Sequence, residues 1–259
     1  MECIEYVESS RLGLEGSYVV VKDADLPVKL PGESYEAKSI NIFELDSIHR
    51  EIDNQPHTGV VGLGGFNAVN AAKMLSVRRL KKGGLKQSLF ENPSPSRPLV
   101  LIPTKPSFCT DVTPLTVVYD PSVPVYNLQY IKPQKVVIPL DLYSAGFEAE
   151  RSVLSMLNPS LGRASVEEYL EFCRERAPVG LSPEFILALT VSALVGVSLE
   201  DALRTVTAPA GAEAARLAMW RKLDHFVEHS WSFYRRFLVY WGIESRSELY
   251  DRYSTLFSL

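Results

Sequence analysis

Cysteine is scarce. Only Cys3, Cys109 and Cys173 occur in 259 residues, an odd number and widely scattered. That pattern excludes a metal knuckle and a disulfide-stapled scaffold, and it points to reduced thiols in a cytoplasmic setting. Long apolar runs are also missing. The longest, residues 185–197, is interrupted by Thr190 and Ser192 and falls short of the roughly 20 residues that a membrane-spanning helix needs. It reads as a buried helix, and no membrane partner is expected. The opening MECIEYVESS is acidic without an apolar segment, unlike a signal peptide. There is no Gly-x-Ser-x-Gly elbow, no Gly-Lys-Ser/Thr ending and no Asp-rich metal loop. Among the four histidines, His49 and His57 lie near a glycine-rich turn as acid–base candidates, but neither has an evident nucleophile partner. No catalytic residue, cofactor or metal is assigned on this basis. Asn, Gln, Met and Cys are sparse while Arg and Pro are plentiful, a thermophile-like bias.

The most informative absence is of negative charge. From Asn54 to Thr110 there is one carboxylate, Glu91, against Lys73, Arg78, Arg79, Lys81, Lys82, Lys86, Arg97 and Lys105. The window carries about +7 in a chain of net charge −4, which leaves about −11 for the remainder. Such segregation suits a polyanion. Arg78, Arg79, Lys81, Lys82 and Lys86 crowd around Gly83-Gly84, a flexible tip able to adopt the positive φ angles of a tight turn. With Lys73 they form the expected nucleic-acid-binding set.

The same window opens on GVVGLGGFNAVNAAK, a strand running into a helix. That arrangement places free N–H groups and the positive end of a helix dipole at an anion. Gly62, Gly64, Gly65 and Asn67 are therefore expected to bind phosphate. As a dinucleotide fingerprint the segment is deficient, because Asn67 replaces the third glycine and no acid follows about 20 residues on to hold a ribose.

Strands are expected at 18–22, 35–43, 59–63, 99–102, 115–119, 123–131 and 136–140, and helices at 44–52 and 67–77. The frequent prolines of 93–139 favour edges and short strands over a continuous parallel sheet. From about Ser144 the period lengthens to 3.6 residues. Ser165 with Glu168, Ser198 with Asp201 and Ser245 with Glu248 form capping boxes, and Ser182-Pro183-Glu184 opens another helix. Helices are expected over 146–157, 166–176, 183–195, 199–207, 211–241 and 246–256. The fold class is thus α+β, with an N-terminal mixed strand/helix region (1–143) and a C-terminal helical bundle (144–259).

Two motifs fall in the helical half. His225-Phe-Val-Glu228-His229 has the H-x-x-E-H spacing that puts two histidines on one helix face, but Arg221, Lys222, Ser232 and Arg236 share that face and oppose a cation. Glu244 and Glu248 are the candidates for a third ligand. Residues 191–206 have helix-turn-helix spacing around Gly196, yet Glu200 and Asp201 begin the second helix and repel phosphate. The last long helix is aromatic on two stripes: Trp220, Leu223, Val227, Trp231, Tyr234, Leu238 and Trp241, then Phe226, Phe233, Phe237 and Tyr240. That pattern favours packing on two sides, including against partner subunits.

The composition and motifs lead to a cytoplasmic, non-catalytic subunit of a larger nucleoprotein assembly. It would bind RNA or single-stranded DNA backbone, since no groove-reading helix is present. The alternatives are an enzyme holding a nucleotide or phosphorylated small molecule on the Gly62–Gly65 turn, and an H-x-x-E-H metal-dependent hydrolase.

Overall fold

The computed structural model describes residues 4–24, 26, 28, 30–54, 59–91, 93–157, 160–176, 182–207 and 213–257. Its strands are β1 (Ile4–Val7), β2 (Tyr18–Lys22), β3 (Glu33–Glu36), β4 (Gly59–Gly64), β5 (Leu99–Pro103), β6 (Leu115–Asp120), β7 (Val125–Tyr130) and β8 (Lys135–Pro139). Its helices are α1 (Ile42–Asp53), α2 (Phe66–Ser76), α3 (Gly84–Ser88), α4 (Leu140–Leu157), α5 (Val166–Arg176), α6 (Pro183–Val195), α7 (Leu199–Thr207), α8 (Glu213–Trp220), α9 (Leu223–Leu238) and α10 (Arg246–Phe257).

Six strands form one sheet in the order β1-β8-β5-β4-β2-β3, and every pairing is parallel. Central parallel strands are covered on both faces and so read as continuous apolar runs. Accordingly, every residue of β4 and β5 is buried. Val20, Val61, Leu63, Val100, Ile102 and Val137 make one cluster, with Leu12, Leu14, Leu26, Val28 and Leu30 packed on it. The sheet corrects the expectation of short edge strands. Pro98 precedes β5, and Pro103 and Pro139 end β5 and β8, so the prolines bound the ladder rather than interrupt it. β6 and β7 form a separate two-stranded sheet.

The chain divides into two compact units. One comprises residues 1–121, 127–150 and 165–178, and the other comprises 122–126, 151–164 and 179–259. The first holds the parallel sheet with α1, α2, α3 and α5, and the second is helical, so mixed strand and helix give way to helices as expected. The second unit's α6 is buried from Pro183 to Ala193, which explains why its composition lacks a polar face. Its N-cap is Ser182, accepting from Phe185 N–H at 3.2 Å. Ser198 with Asp201 and Ser245 with Glu248 cap α7 and α10, and in the first unit Ser165 with Glu168 caps α5. The single long helix expected over 211–241 is broken at Arg221-Lys222, where Lys222 leaves helical geometry at φ −109°, ψ 8°. On α9, Phe226, Val227, Ser230, Tyr234, Phe237 and Leu238 are buried, whereas Phe233 and Tyr240 are exposed. Among the described residues, no helix is long and apolar enough to cross a membrane.

Candidate functional site

From β2 the chain moves outward to β3, then returns to the other side of β2 as β4 and continues away to β5. The strand order therefore reverses between β2 and β4. In open parallel sheets, a crevice opens at the carboxyl ends of the strands at such a reversal. Asp23, the first residue past β2, meets the end of β4 there. Its Oδ2 accepts the Gly65 N–H at 2.7 Å, and its own N–H donates to Leu63 O at 3.2 Å. Gly64 has φ +140°, where a Cβ would be strained and would crowd the Asp23 carboxyl at 2.6 Å. Gly65 is the N-cap of α2, and a Cβ there would overlap the Lys105 alkyl chain. Lys105 Nζ reaches Glu150 on α4 at 3.3 Å. Asn67 donates from its side chain to Lys38 O at 3.2 Å.

Gly64, Gly65 and Asn67 are thus brought together with Asp23 and Lys105. Gly62 lies inside β4, where its missing Cβ lets Ala72 of α2 pack at 2.8 Å from that position. Asp23 was missed because an acid was sought downstream of the glycines. In this chain order the neighbouring strand comes first, so the acid lies 42 residues before Gly65.

A buried polar clamp holds the later turns of α2. Lys73 is fully buried, and its Nζ donates to the carbonyls of Thr110, Thr113 and Leu115, the last two at 2.8 and 2.6 Å. Three acceptors match the three N–H donors of an ammonium group. Asn70, one turn earlier on α2, donates to Phe66 O and Thr110 Oγ1 and accepts Val117 N–H at 2.7 Å. Asp111 Oδ2 accepts from Tyr143 OH at 2.5 Å and Oδ1 from Tyr169 OH at 3.5 Å. The loop 104–114 is thereby fixed to α2, α4 and α5.

Burial pushes Asp111 up to about 6, opposed by the Tyr143 hydrogen bond and Lys73. Burial likewise pulls Lys73 down to about 7, against the attraction of Asp111. A folded value above the ordinary 3.8 means that Asp111 supports the fold fully below that pH and loses this support as pH rises through about 6. Lys73 has the opposite sense: its support is complete above 10.5 and is lost as pH falls through about 7. Asp111→Asn removes the first dependence. The unfolding free energy of wild type minus variant, from urea melts, is expected to fall between about pH 4 and pH 6. An unchanging difference would remove Asp111 from this account.

The expected nucleic-acid grip is not assembled. Lys73 is sealed in the clamp just described. Arg79 pairs with Asp46 at 2.8 Å and Lys86 with Asp120 at 2.9 Å. Arg97 pairs with Asp53, and Lys105 with Glu150. The acids missing from the basic window arrive from outside it, so charge segregated along the chain is mixed in space. Arg78, Lys81 and Lys82 are exposed. Gly83 and Gly84 have φ +79° and +62° as expected, but they start α3, and Asp46 accepts the Leu85 N–H at 2.8 Å. The tip is anchored rather than free to follow a backbone.

The remaining candidates are also placed. His49 is buried, with Nε2 2.7 Å from Val77 O and Nδ1 3.2 Å from Asp53, a structural arrangement. His57 lies outside the described residues. His225 and Glu228 are exposed on α9, with Glu228 paired to Arg246 at 2.8 Å. Burial and His225 hold His229 down at about 4. Among the described residues, no group of three His, Cys, Asp or Glu side chains could hold a metal ion. The cysteines correct the sequence reading: Cys109 and Cys173 form a disulfide.

A family profile described as iron-containing alcohol dehydrogenase matches residues 39–137, less than half of the chain. No curated protein sequence matches. Solved structures share the fold. A crystal structure of an iron-containing alcohol dehydrogenase superposes with a TM-score of 0.67 at 14% identity, covering 98% of this chain and 96% of that one. A second, from Thermotoga maritima, also has a TM-score of 0.67 at 14% identity, covering 99% and 98%. A sulfoacetaldehyde reductase from Bifidobacterium kashiwanohense in complex with NAD+ has a TM-score of 0.52 at 14% identity, covering 98% and 83%. The fold is therefore that of the iron-containing alcohol dehydrogenases. These likenesses, with a basic window partly paired to acids, overturn the expectation of a non-catalytic RNA-binding or DNA-binding subunit. The described residues do not fit a resident iron, since they offer no cluster of three ligating side chains. At the β2/β4 reversal the two glycines let the Asp23 carboxylate and the Lys105 chain approach the backbone closely, with that carboxylate seated on the Gly65 N–H at the start of α2.

Proposed function

We propose that this chain is a cytoplasmic oxidoreductase that binds a nicotinamide dinucleotide in the β2/β4 crevice and acts on a small alcohol–carbonyl pair. The observation that carries the reading is the meeting of Asp23, Gly64 and Gly65 at the strand-order reversal, directly before α2. When bound, the cofactor supplies the site for hydride gain and loss. The positive end of α2 favours the pyrophosphate charge, and Gly64 and Gly65 open their backbone to it once Asp23 and Lys105 draw aside. Lys105 contributes an ammonium group, now paired with Glu150, and Asp23 contributes a carboxylate able to accept from a ribose hydroxyl once it leaves Gly65 N–H. The alcohol–carbonyl class is taken from the printed names of the proteins that share the fold, among them a 1,3-propanediol oxidoreductase.

Binding to the native state alone raises the melting temperature, by about 2.7 kcal/mol of stabilisation at a ligand concentration 100 times Kd. NAD+ or NADH is expected to produce this shift and Gly64→Val to abolish it, because valine is strained at φ +140° and collides with Asp23. Identical melting of the wild-type protein with and without millimolar NAD+, NADH, NADP+ or NADPH would exclude the reading.

A further inference from the structure

The Cys109–Cys173 disulfide joins the loop after β5 to α5, across a sequence separation of 64. Phe108 and Cys109 have φ of 52° and 63°, the left-handed region that side chains with a Cβ disfavour. Two successive non-glycine residues persist there only when their surroundings over-determine them. The restraints are the disulfide, the Cys109 N–H donated to Tyr169 OH at 3.0 Å, and the turn closed by Thr110 N–H on Ser107 O at 2.9 Å. Two of the three are tied to α5, because Tyr169 and Cys173 lie one turn apart on it.

The strained pair also lies beside the crevice. The Phe108 ring meets Phe66, the first residue of α2, edge-on at 5.7 Å. Lys105, three residues before Phe108, covers Gly65. Any relaxation of Phe108 and Cys109 toward ordinary φ values therefore moves groups that touch the anion-facing end of α2. Strain of this kind, held by a covalent link that chemistry can open, makes a two-state device.

Resting on the dinucleotide reading, we infer that Cys109 and Cys173 are a thiol–disulfide switch on that site: oxidised, they hold loop 104–114 in its binding shape, and reduced, they release it. The opening step is exchange with a dithiol reductant. Its thiolate attacks one sulfur of the pair, the Cys109–Cys173 bond breaks, and the second reductant thiol displaces the mixed disulfide. Two electrons and two protons pass to the protein, which ends with two thiols while the dithiol ends as its own disulfide. Both sulfurs are buried, so exchange follows local opening of the loop or of α5. In a reducing compartment, disulfides are usually transient and redox-sensing, in keeping with this role.

The test compares full-length oxidised protein, protein reduced with dithiothreitol, and Cys173→Ala, which leaves the loop sequence intact. Thiol titration after denaturation defines each state: one thiol when oxidised and three when reduced, given three cysteines in the chain. NADH affinity is read by fluorescence, and loop mobility by amide hydrogen exchange over 104–114. The reduced protein is expected to bind about tenfold more weakly, because the loop must be re-ordered on binding. Its loop amides should exchange faster, and Cys173→Ala should match it with or without reductant. Equal affinity in verified oxidised and reduced states overturns the switch. If no state binds NADH, the dinucleotide reading fails on its own, and the exchange data decide the remainder: faster exchange on reduction retains the conformational switch, and unchanged exchange removes it.

Discussion

Lys73→Met is expected to destabilise the protein by about 3–5 kcal/mol, the cost of breaking a fully buried charge arrangement by removing one partner. Methionine fills the space but donates nothing. The carbonyls of Thr110, Thr113 and Leu115 then lose their shared donor, and buried Asp111 loses the attraction of Lys73. Buried acceptors without partners carry the full penalty of desolvation. Guanidinium-chloride melts would show the loss as a lower midpoint at unchanged slope. Lys82→Met is the control. Lys82 belongs to the same basic window but is exposed, and a surface change of this kind stays within about 0.5 kcal/mol. Equal effects of the two substitutions would refute the clamp.

Loss of the Cys109–Cys173 crosslink has the second large effect. Closing a loop of this length in the unfolded chain contributes about 4 kcal/mol in the chain-entropy treatment. Cys173→Ala should therefore lower Tm by on the order of 10 °C for a chain of this size. Calorimetry of the variant and of the oxidised wild type measures this directly. A change of less than a degree or two, with the thiol count confirming the bond in wild type, would mean that the bond constrains nothing. Cys109→Ala is expected to lower Tm by a similar amount, because alanine keeps the Cβ that is disfavoured at φ +63°. Both variants lose the same crosslink.

Local chemistry was legible in the sequence wherever neighbours decide the outcome. The serine caps at 165, 182, 198 and 245 act through residues three positions away, and each forms as expected. The strands expected at 18–22 and 59–63 were visible because buried parallel strands are β-branched runs, and the second extends one residue further, to Gly64. What failed depended on partners distant in sequence. Lys73 follows the Ala68, Ala71, Ala72 and Leu75 stripe and, with Asn70, gives α2 a polar side that reads as solvent-facing. That side instead meets the carbonyls of 110–115, some 40 residues later. The one available signal was the shortness of any truly charged face on α2, whose residues Ala68 to Ser76 are all buried. The prolines of 93–139 were read as strand interruptions because their register within the ladder is not a local property. Asp23 is not legible as the partner of the glycine turn, because in this fold the strand that carries the acid precedes the turn in sequence. The Cys109–Cys173 bond was missed because parity and scatter say nothing about which two thiols the fold brings together.

The pairing of the basic window with distant acids has a consequence for how the polypeptide assembles. As the chain emerges, residues 54–110 meet only Asp46 and Asp53 among the paired acids, while Asp120 and Glu150 have yet to be made. The nascent segment containing β4 and β5, two of the most apolar strands, therefore carries an excess of like charge while its sheet is incomplete. Self-repulsion of that kind keeps exposed apolar strands from meeting copies of themselves. The charge of the window is thus offset in part by acids that precede it and in part by acids that follow it.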